Sequence, residues 1–436
     1  MSTRFSGSRR SLLKGAGAAT AALGLSSLGL PARAQASTNL VVLATGDTLA
    51  YLEFLKGKFE EEFPNVTVEL QTVGYDQLYT RISSVMASGS AAVDVVEMDL
   101  IWTADFARNG WAVPLNDHFS ADELGQLRTG LLDPFQSAGN LLGLPMATVF
   151  KTMFYNTERL AALGLSAPPA TFEELAEIGA NLRAAGGNQY VQGFGWSQAE
   201  GLICDWTSAL AAFGGNWFEN GQWAFNNDAG VAALTFMVDN LRNQNFDPGS
   251  ITYNDRTVMN PFLAGDYLAM LSWGLWGWNM SSDPNESRVV GKVGVGLNYG
   301  TRATGTISAT CSGGGANVVN PNSRNREMAI EWIRRAAGID RRENQEFLLR
   351  ETGTLPTLAS IWDDPKIADI NPAAGALAEQ SKYVVARPGN HVVGYQAWSQ
   401  ILQVELTSAL SFQKSPKEAL DAAAEQSNAN FPPFGL

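Results

Sequence analysis

Three tryptophans, Trp273, Trp276 and Trp278, stand at glycine-spaced intervals in residues 262–278, Phe-Leu-Ala-Gly-Asp-Tyr-Leu-Ala-Met-Leu-Ser-Trp-Gly-Leu-Trp-Gly-Trp. An indole is flat, rigid and apolar on its faces, with one N–H at its edge, and glycines let the backbone bend close to whatever the rings touch. Such rings either fill a core or stack on the C–H face of a small polar molecule such as a sugar. Asp99 follows the apolar run 92–98 and adjoins Trp102. That pairing suits a sugar hydroxyl beside an aromatic wall; the other reading of Asp99 is a helix N-cap. Asp47 offers the same choice, an N-cap or, with Thr45, the mouth of a cleft. Arg387, in Ala-Arg-Pro-Gly-Asn at 386–390, presents a planar fork of donors. It would hold a carboxylate, a sulfonate, a phosphate or two hydroxyls, or else close an interdomain salt bridge.

Other chemistries have little material. His118 and His391 are the only histidines, too few for a three-histidine metal site and a poor basis for Ser-His-Asp or Cys-His catalysis. The glycine cluster at 313–315 has no Lys-Ser/Thr and no helix directly after it, so it reads as backbone passing close to a ligand or a hinge rather than as a phosphate loop. Carboxylates are plentiful, 43 Asp plus Glu, and a glycosidase pair could hide among them because its separation is a three-dimensional property. Cys204 and Cys311 are far apart in sequence; after export they could pair, but nothing in the spacing compels it, and two buried free thiols are the expectation.

These groups need elements to hold them. At 436 residues, with 45% hydrophobic and 17% charged content, the chain has the composition of a globular protein with room for two domains. The first 36 residues read as an export signal: the twin-arginine pattern Ser-Arg-Arg-Ser-Leu-Leu-Lys at 8–14, a mild apolar stretch at 15–30, and small residues before cleavage after Ala36 or Ala34. No cysteine stands at that site to carry a lipid. Removing Arg4, Arg9, Arg10, Lys14 and Arg33 takes the formal charge from −13 to −18, an unfavourable surface for nucleic acid. Strand and helix patterns then alternate: strand 40–44, a helix over 48–63 with Leu49, Leu52, Leu55 and Phe59 on one face, strand 66–73, helix 75–87, strand 92–98 and a helix ending at Asn109-Gly110. Three such repeats predict a mainly parallel sheet with ligand groups beyond the strand C-termini. Further on, a capping box is expected at Thr171 and Glu174, a buried strand over 267–271, and a last helix opened by Ser415-Pro416. No repeat or low-complexity linker interrupts the chain, which fits two lobes joined by crossing strands.

Several segments together resemble a known family. Val-Asp-Val-Val at 93–96 leading to Gly-Trp-Ala-Val-Pro-Leu at 110–115, Phe-Tyr-Asn at 154–156 with Leu-Gly-Leu at 163–165 and the run 169–175, the tryptophan strand, 313–333, Gly-Thr-Leu-Pro-Thr at 353–357, and Ala-Arg-Pro at 386–388 with 415–420 occur in family order. The chain resembles an extracellular solute-binding protein of the family 1 type, the maltose, trehalose and glycerophosphate binders that feed bacterial ABC importers. The resemblance implies an α/β, two-lobe periplasmic-binding-protein fold of type II, closing on its ligand about a hinge. By analogy one lobe holds 37–147 and 305–366, the other 148–304 and 367–436. It also implies ligand contacts at Thr45 to Asp47, Tyr75, Asp99, Trp102, Trp273, Trp276, Gly314, Gly315 and Arg387. Many disaccharide binders carry an aspartate about where Val149 stands; here Thr148 and Lys151 are nearby, and Lys151 points to an anionic or modified sugar. The expected protein is a monomeric, non-enzymatic, cofactor-free receptor, soluble in the periplasm. It captures a sugar, oligosaccharide, polyol or glycosyl-glycerol and hands it to a membrane permease. The alternatives are a receptor for an anionic solute, served by Lys151 and Arg387 in one cavity, and an exported glycoside-processing enzyme.

Overall fold

The structure is a computed structural model that describes residues 37–435 apart from 188; the signal read over 1–36, with its cleavage sites, lies outside the described residues. The alternation of apolar runs and amphipathic segments becomes strands β1 (Thr38–Thr45), β2 (Val66–Val73) and β3 (Val95–Asp99), with helices Leu49–Glu62 and Tyr75–Ala87 between them. The first of these helices buries Tyr51, Leu52, Leu55 and Phe59. Leu49, expected on that face, is exposed, and Tyr51 replaces it with its hydroxyl donating to Ala336 O at 2.8 Å. Asp47 is not the helix N-cap: it lies inside a short 3-10 turn, Gly46–Thr48, and Thr48 occupies the cap position with its hydroxyl donating back to Thr45 O at 3.0 Å and not capping the helix.

A small hairpin, β4 (Gln136–Ser137) and β5 (Asn140–Leu141), precedes β6 (Leu144–Pro145) and the long β7 (Val149–Asn156). A second hairpin, β8 (Phe218–Glu219) and β9 (Gln222–Trp223), separates helices Glu200–Ala212 and Asp228–Arg242. Then come β10 (Ala269–Trp273), β11 (Val293–Gly296), β12 (Thr310–Gly313), β13 (Gly315–Val319) and β14 (Val384–Val385). β10 begins two residues later than its apolar run predicts, so Trp273 belongs to the strand. At Thr171 the box is half formed: its hydroxyl accepts from Glu174 N, but the Glu174 carboxylate takes Ala170 N. Ser415 and Glu418 form the full reciprocal box, with Pro416 in the first turn.

The strands make two five-stranded sheets. One runs β2-β1-β3-β13-β6, with β1 parallel to both β2 and β3; the other runs β10-β7-β12-β14, with β11 also on β7. The chain passes from the first sheet to the second between β6 and β7, and returns between β12 and β13. The expected return at 305 is therefore corrected: β12 pairs with β7 and β14, and the crossing falls at Gly314. This is the two-lobe type II arrangement of α/β binding proteins, and helices on both sheets bury the large aromatics Trp206, Trp332 and Trp398 completely.

Gly314 carries the crossing with φ +86°, and a Cβ there would lie 3.0 Å from Val149 Cγ2. A side chain is strained in that conformation. Gly314→Ala is expected to cost about 1–2 kcal/mol, read as a lower urea midpoint. Gly375→Ala, where a Cβ meets nothing within 4 Å and a helix gains an alanine, should leave the midpoint unchanged or raise it.

Candidate functional site

In the strand order β2-β1-β3 the chain leaves β1 for β2 on one side and returns past β1 to β3 on the other. The connections then diverge above the C-terminal ends of β1 and β3, which opens a crevice there. Thr45 ends β1 and Asp99 ends β3. Beyond them lies a cavity of about 390 Å³, lined from the first sheet by Thr45, Asp47, Tyr75, Glu97 and Asp99, a volume suited to a small molecule. Val149 and Gly313 to Gly315, at the crossings, line it as well. Gly315 allows β13 to run close over β3, since a Cβ there would meet Met98 O at 2.7 Å.

Two polar networks hold the walls. Asp99 caps the turn that follows it, Oδ1 accepting from Ile101 N at 3.1 Å, while Oδ2 accepts from the Tyr75 hydroxyl at 2.6 Å. The N-cap reading of Asp99 is found in one oxygen, and the other is held by a hydroxyl of the protein itself. Arg387, 3% exposed, reaches Asp99 at 3.5 Å and donates to Glu200 Oε1 at 2.7 Å. Glu200 also accepts from Tyr395 (2.7 Å, Oε1) and Ser399 (2.6 Å, Oε2), so both of its oxygens are engaged. On the first-sheet side Glu97 Oε2 takes Thr45 N at 2.8 Å and Thr45 Oγ1 at 3.1 Å. Burial pushes the Glu97 carboxyl above its usual range; the Thr45 bonds oppose this, and repulsion from Asp99 and Asp47 adds to it.

The opposite wall carries the rings. Trp273 packs over Gly313, where a Cβ would come within 2.6 Å of the ring, and its N–H donates to Asp255 Oδ2 at 3.1 Å. Trp276 opens the helix Trp276–Ser282 and is 37% exposed, while Trp278 packs back against the apolar cluster behind the wall. Asp255 Oδ1 and Asp205 Oδ1 each take the Lys151 ammonium at 2.7 Å. Burial works against that charge, but the two carboxylates outweigh it and raise the ammonium's pKa.

Three expected contacts are corrected. Lys151, 2% exposed, lies behind Asp255, outside the cavity lining, so it does not converge with Arg387 on one cavity. Trp102, 1% exposed, is a core residue that backs the site, with its ring 6.2 Å from that of Tyr75 and 5.1 Å from that of Tyr79. Thr148 is buried at the crossing, its hydroxyl donating to Pro356 O at 2.9 Å; it faces an adjoining cavity of about 660 Å³ that shares Val149, Gly313 and Arg387 with the cleft. Cys204 and Cys311 are free and buried, and Cys204 reaches the cleft wall. Residue types alone did not point to Glu97, Glu200 or Asp255. Glu97 had a signal, an acid set between apolar residues within a buried strand; Glu200 and Asp255 had none, because long-range folding brings them in.

The model of the bacterial extracellular solute-binding protein family matches residues 45–338. A Brucella abortus protein named as a binding protein is 27% identical over 312 residues, covering 70% of this chain and 73% of its own. A Deinococcus radiodurans protein named as an ABC transporter-binding protein is 24% identical, over 77% of this chain and 79% of its own. Among solved structures, maltose-bound MalE3 of T. maritima has a TM-score of 0.79 at 24% identity, covering 90% of this chain and 99% of its own. A solute-binding protein of Agrobacterium radiobacter K84 in complex with ribitol has a TM-score of 0.75 at 23% identity, with 90% and 98% covered.

The environment of Glu97 sets a pH dependence. Its carboxyl pKa is higher folded than unfolded, so its contribution to stability is full below the unfolded value, about 4.3, and falls as pH rises through the folded one. Glu97→Gln lacks this titration. Urea midpoints from pH 4 to 8 should show wild type losing stability relative to the variant as pH rises, then levelling; a relative gain with pH would overturn the assignment.

Proposed function

The chain belongs to the family of bacterial extracellular solute-binding proteins, and from that premise we propose that it is the receptor of an ABC importer for a sugar, oligosaccharide, polyol or glycosyl-glycerol. The observation that carries this reading is the cleft itself, where Trp273, Trp276 and Tyr75 meet Asp47, Glu97 and Asp99. Rings cover the C–H faces of such a ligand and carboxylates accept from its hydroxyls. Maltose and ribitol, bound by the two structural relatives, are molecules of this kind. An anionic ligand finds poor support, since Lys151 is neutralised and Arg387 is tied to Glu200 and Asp99.

The lobes are 37–147 with 314–366, and 148–313 with 367–436. Ligand favours the state in which both reach it, because contacts from both walls exist only there. The receptor acts as a monomer and returns its ligand unaltered to a membrane permease. Its route is twin-arginine export to the periplasm, from the pattern at 8–14. Among the described residues no helix is long and apolar enough to cross a membrane.

A thermal-shift screen of the mature chain against mono- and disaccharides, polyols and sugar phosphates should raise the melting temperature with an uncharged polyhydroxyl compound and recover that compound intact. Trp276→Ala, at an exposed ring whose loss spares the core, should weaken calorimetric affinity for that hit about tenfold or more. Unchanged affinity would remove the ring from the site, and stabilisation by sugar phosphates alone would overturn the ligand class.

A further inference from the structure

The charges around the cleft do not balance. Five carboxylates line it, Asp47, Glu97, Asp99, Glu200 and Asp255, against one cation, Arg387. Arg387 serves Asp99 and Glu200, and Lys151 behind the wall serves Asp255 together with Asp205. Glu97 and Asp47 are left without a counter-charge. Glu97 is 9% exposed and spends Oε2 on Thr45, while Oε1 receives no hydrogen bond among the described residues. Asp47 is exposed at the mouth, with no bond to its carboxylate. A buried carboxylate beside like charges is costly unless a cation meets it. No group of three or more His, Cys, Asp or Glu among the described residues is arranged to hold a metal ion, so the missing charge fits an organic cation. The rings opposite already meet cations of the protein, Lys151 over Trp273 at 5.1 Å and Arg256 over Trp276 at 5.3 Å, so their part is to cover the C–H bonds of the ligand while its ammonium turns to the carboxylates.

Resting on the solute-receptor reading above, we propose that the natural ligand is a polyhydroxyl compound bearing a protonated amine, an amino sugar or aminocyclitol, whose ammonium sits against Glu97 and Asp47. A hydroxyl also satisfies Glu97 Oε1 but leaves the charge; an ammonium does both. An N-acetylated sugar has lost the charge and with it the advantage.

Calorimetry on the mature chain with matched probes tests this: glucosamine, glucose and N-acetylglucosamine; the β-1,4-linked glucosamine dimer and cellobiose; glucamine and sorbitol. At pH 7 and low salt the amine member should bind at least tenfold tighter than its neutral partners in at least one set. Glu97→Gln should reduce that ratio towards one, and Asp47→Asn, at a side chain with no structural bond, should reduce it in part, which keeps the test open should the first variant fold poorly. Neutral members binding as well as or better than amines, or a preference untouched by both variants, would overturn the inference and leave the receptor reading standing. Binding by none of these probes, with a neutral hit in the thermal-shift screen, would overturn the inference and leave the receptor reading standing.

Discussion

A buried ammonium must be met by negative charge, and the way Lys151 is met organises one whole wall of the cleft. Removing such an ion from water costs several kcal/mol, recovered only with close partners and good hydrogen bonds. Lys151 lies on β7, the strand that has just crossed between sheets, and draws in Asp205 from the helix Glu200–Ala212 and Asp255 from the turn before the tryptophan strand. Asp255 in turn holds the Trp273 N–H. One internal charge therefore ties a crossing strand, a helix and a ring that faces the cavity. Gly201 completes the seat, since a Cβ there would come 3.0 Å from Asp255 Oδ2.

The other wall follows the same rule with the roles reversed. Arg387 is the buried cation, and Asp99 and Glu200 are its partners. Asp99 stands at the end of β3 and Glu200 at the start of a helix packed on the second sheet, so the guanidinium links groups from the two halves of the cleft. Both cations are consumed by the protein's own architecture. This is why a lysine in the crossing strand, which looked like a ligand for anions, contributes rigidity instead.

Much of the frame was legible before any coordinates. The alternation over 38–110 has strong periodicity and clear stops, and β1, β2, β3 and their helices fall close to where it puts them. Strand ends were legible too, because divergent connections must leave a crevice there, and Thr45, Tyr75 and Asp99 do line one cavity with Trp273, Trp276 and Arg387. Depth was not legible. Trp102 and Trp276 are the same residue type after similar strands, yet one is sealed beneath Tyr75 and Tyr79 and the other is 37% exposed. The difference arises from the long-range packing of the helix Tyr75–Ala87 and leaves no local trace. The Glu200 and Asp255 positions depend on tertiary contacts in the same way, and the shift of the return crossing to Gly314 depends on which sheet β12 joins.

The turn after β10 is bonded to the side of the first sheet at two places. Leu275 N donates to Gly353 O at 3.2 Å and Asn279 Nδ2 to Thr352 O at 3.3 Å, while the neighbouring Thr357 is anchored to Ala337 and Gln345 among the helices beyond β13. These bonds join the tryptophan wall to the side of the first sheet without passing through the cavity. Each is a single hydrogen bond, worth about 0.5–1.5 kcal/mol net. They add to the Arg387–Asp99 pair and to the bond from Gly394 N to Asp105 Oδ1, which also cross between the halves, and a bound molecule shifts an equilibrium between two arrangements only by its difference in affinity for them. Groups that face the ligand from one half alone contribute equally to both states and move nothing. On the proposed function, discrimination by closure comes from ligand groups that reach Glu97 and Asp99 on one side while Trp273 and Trp276 cover them from the other.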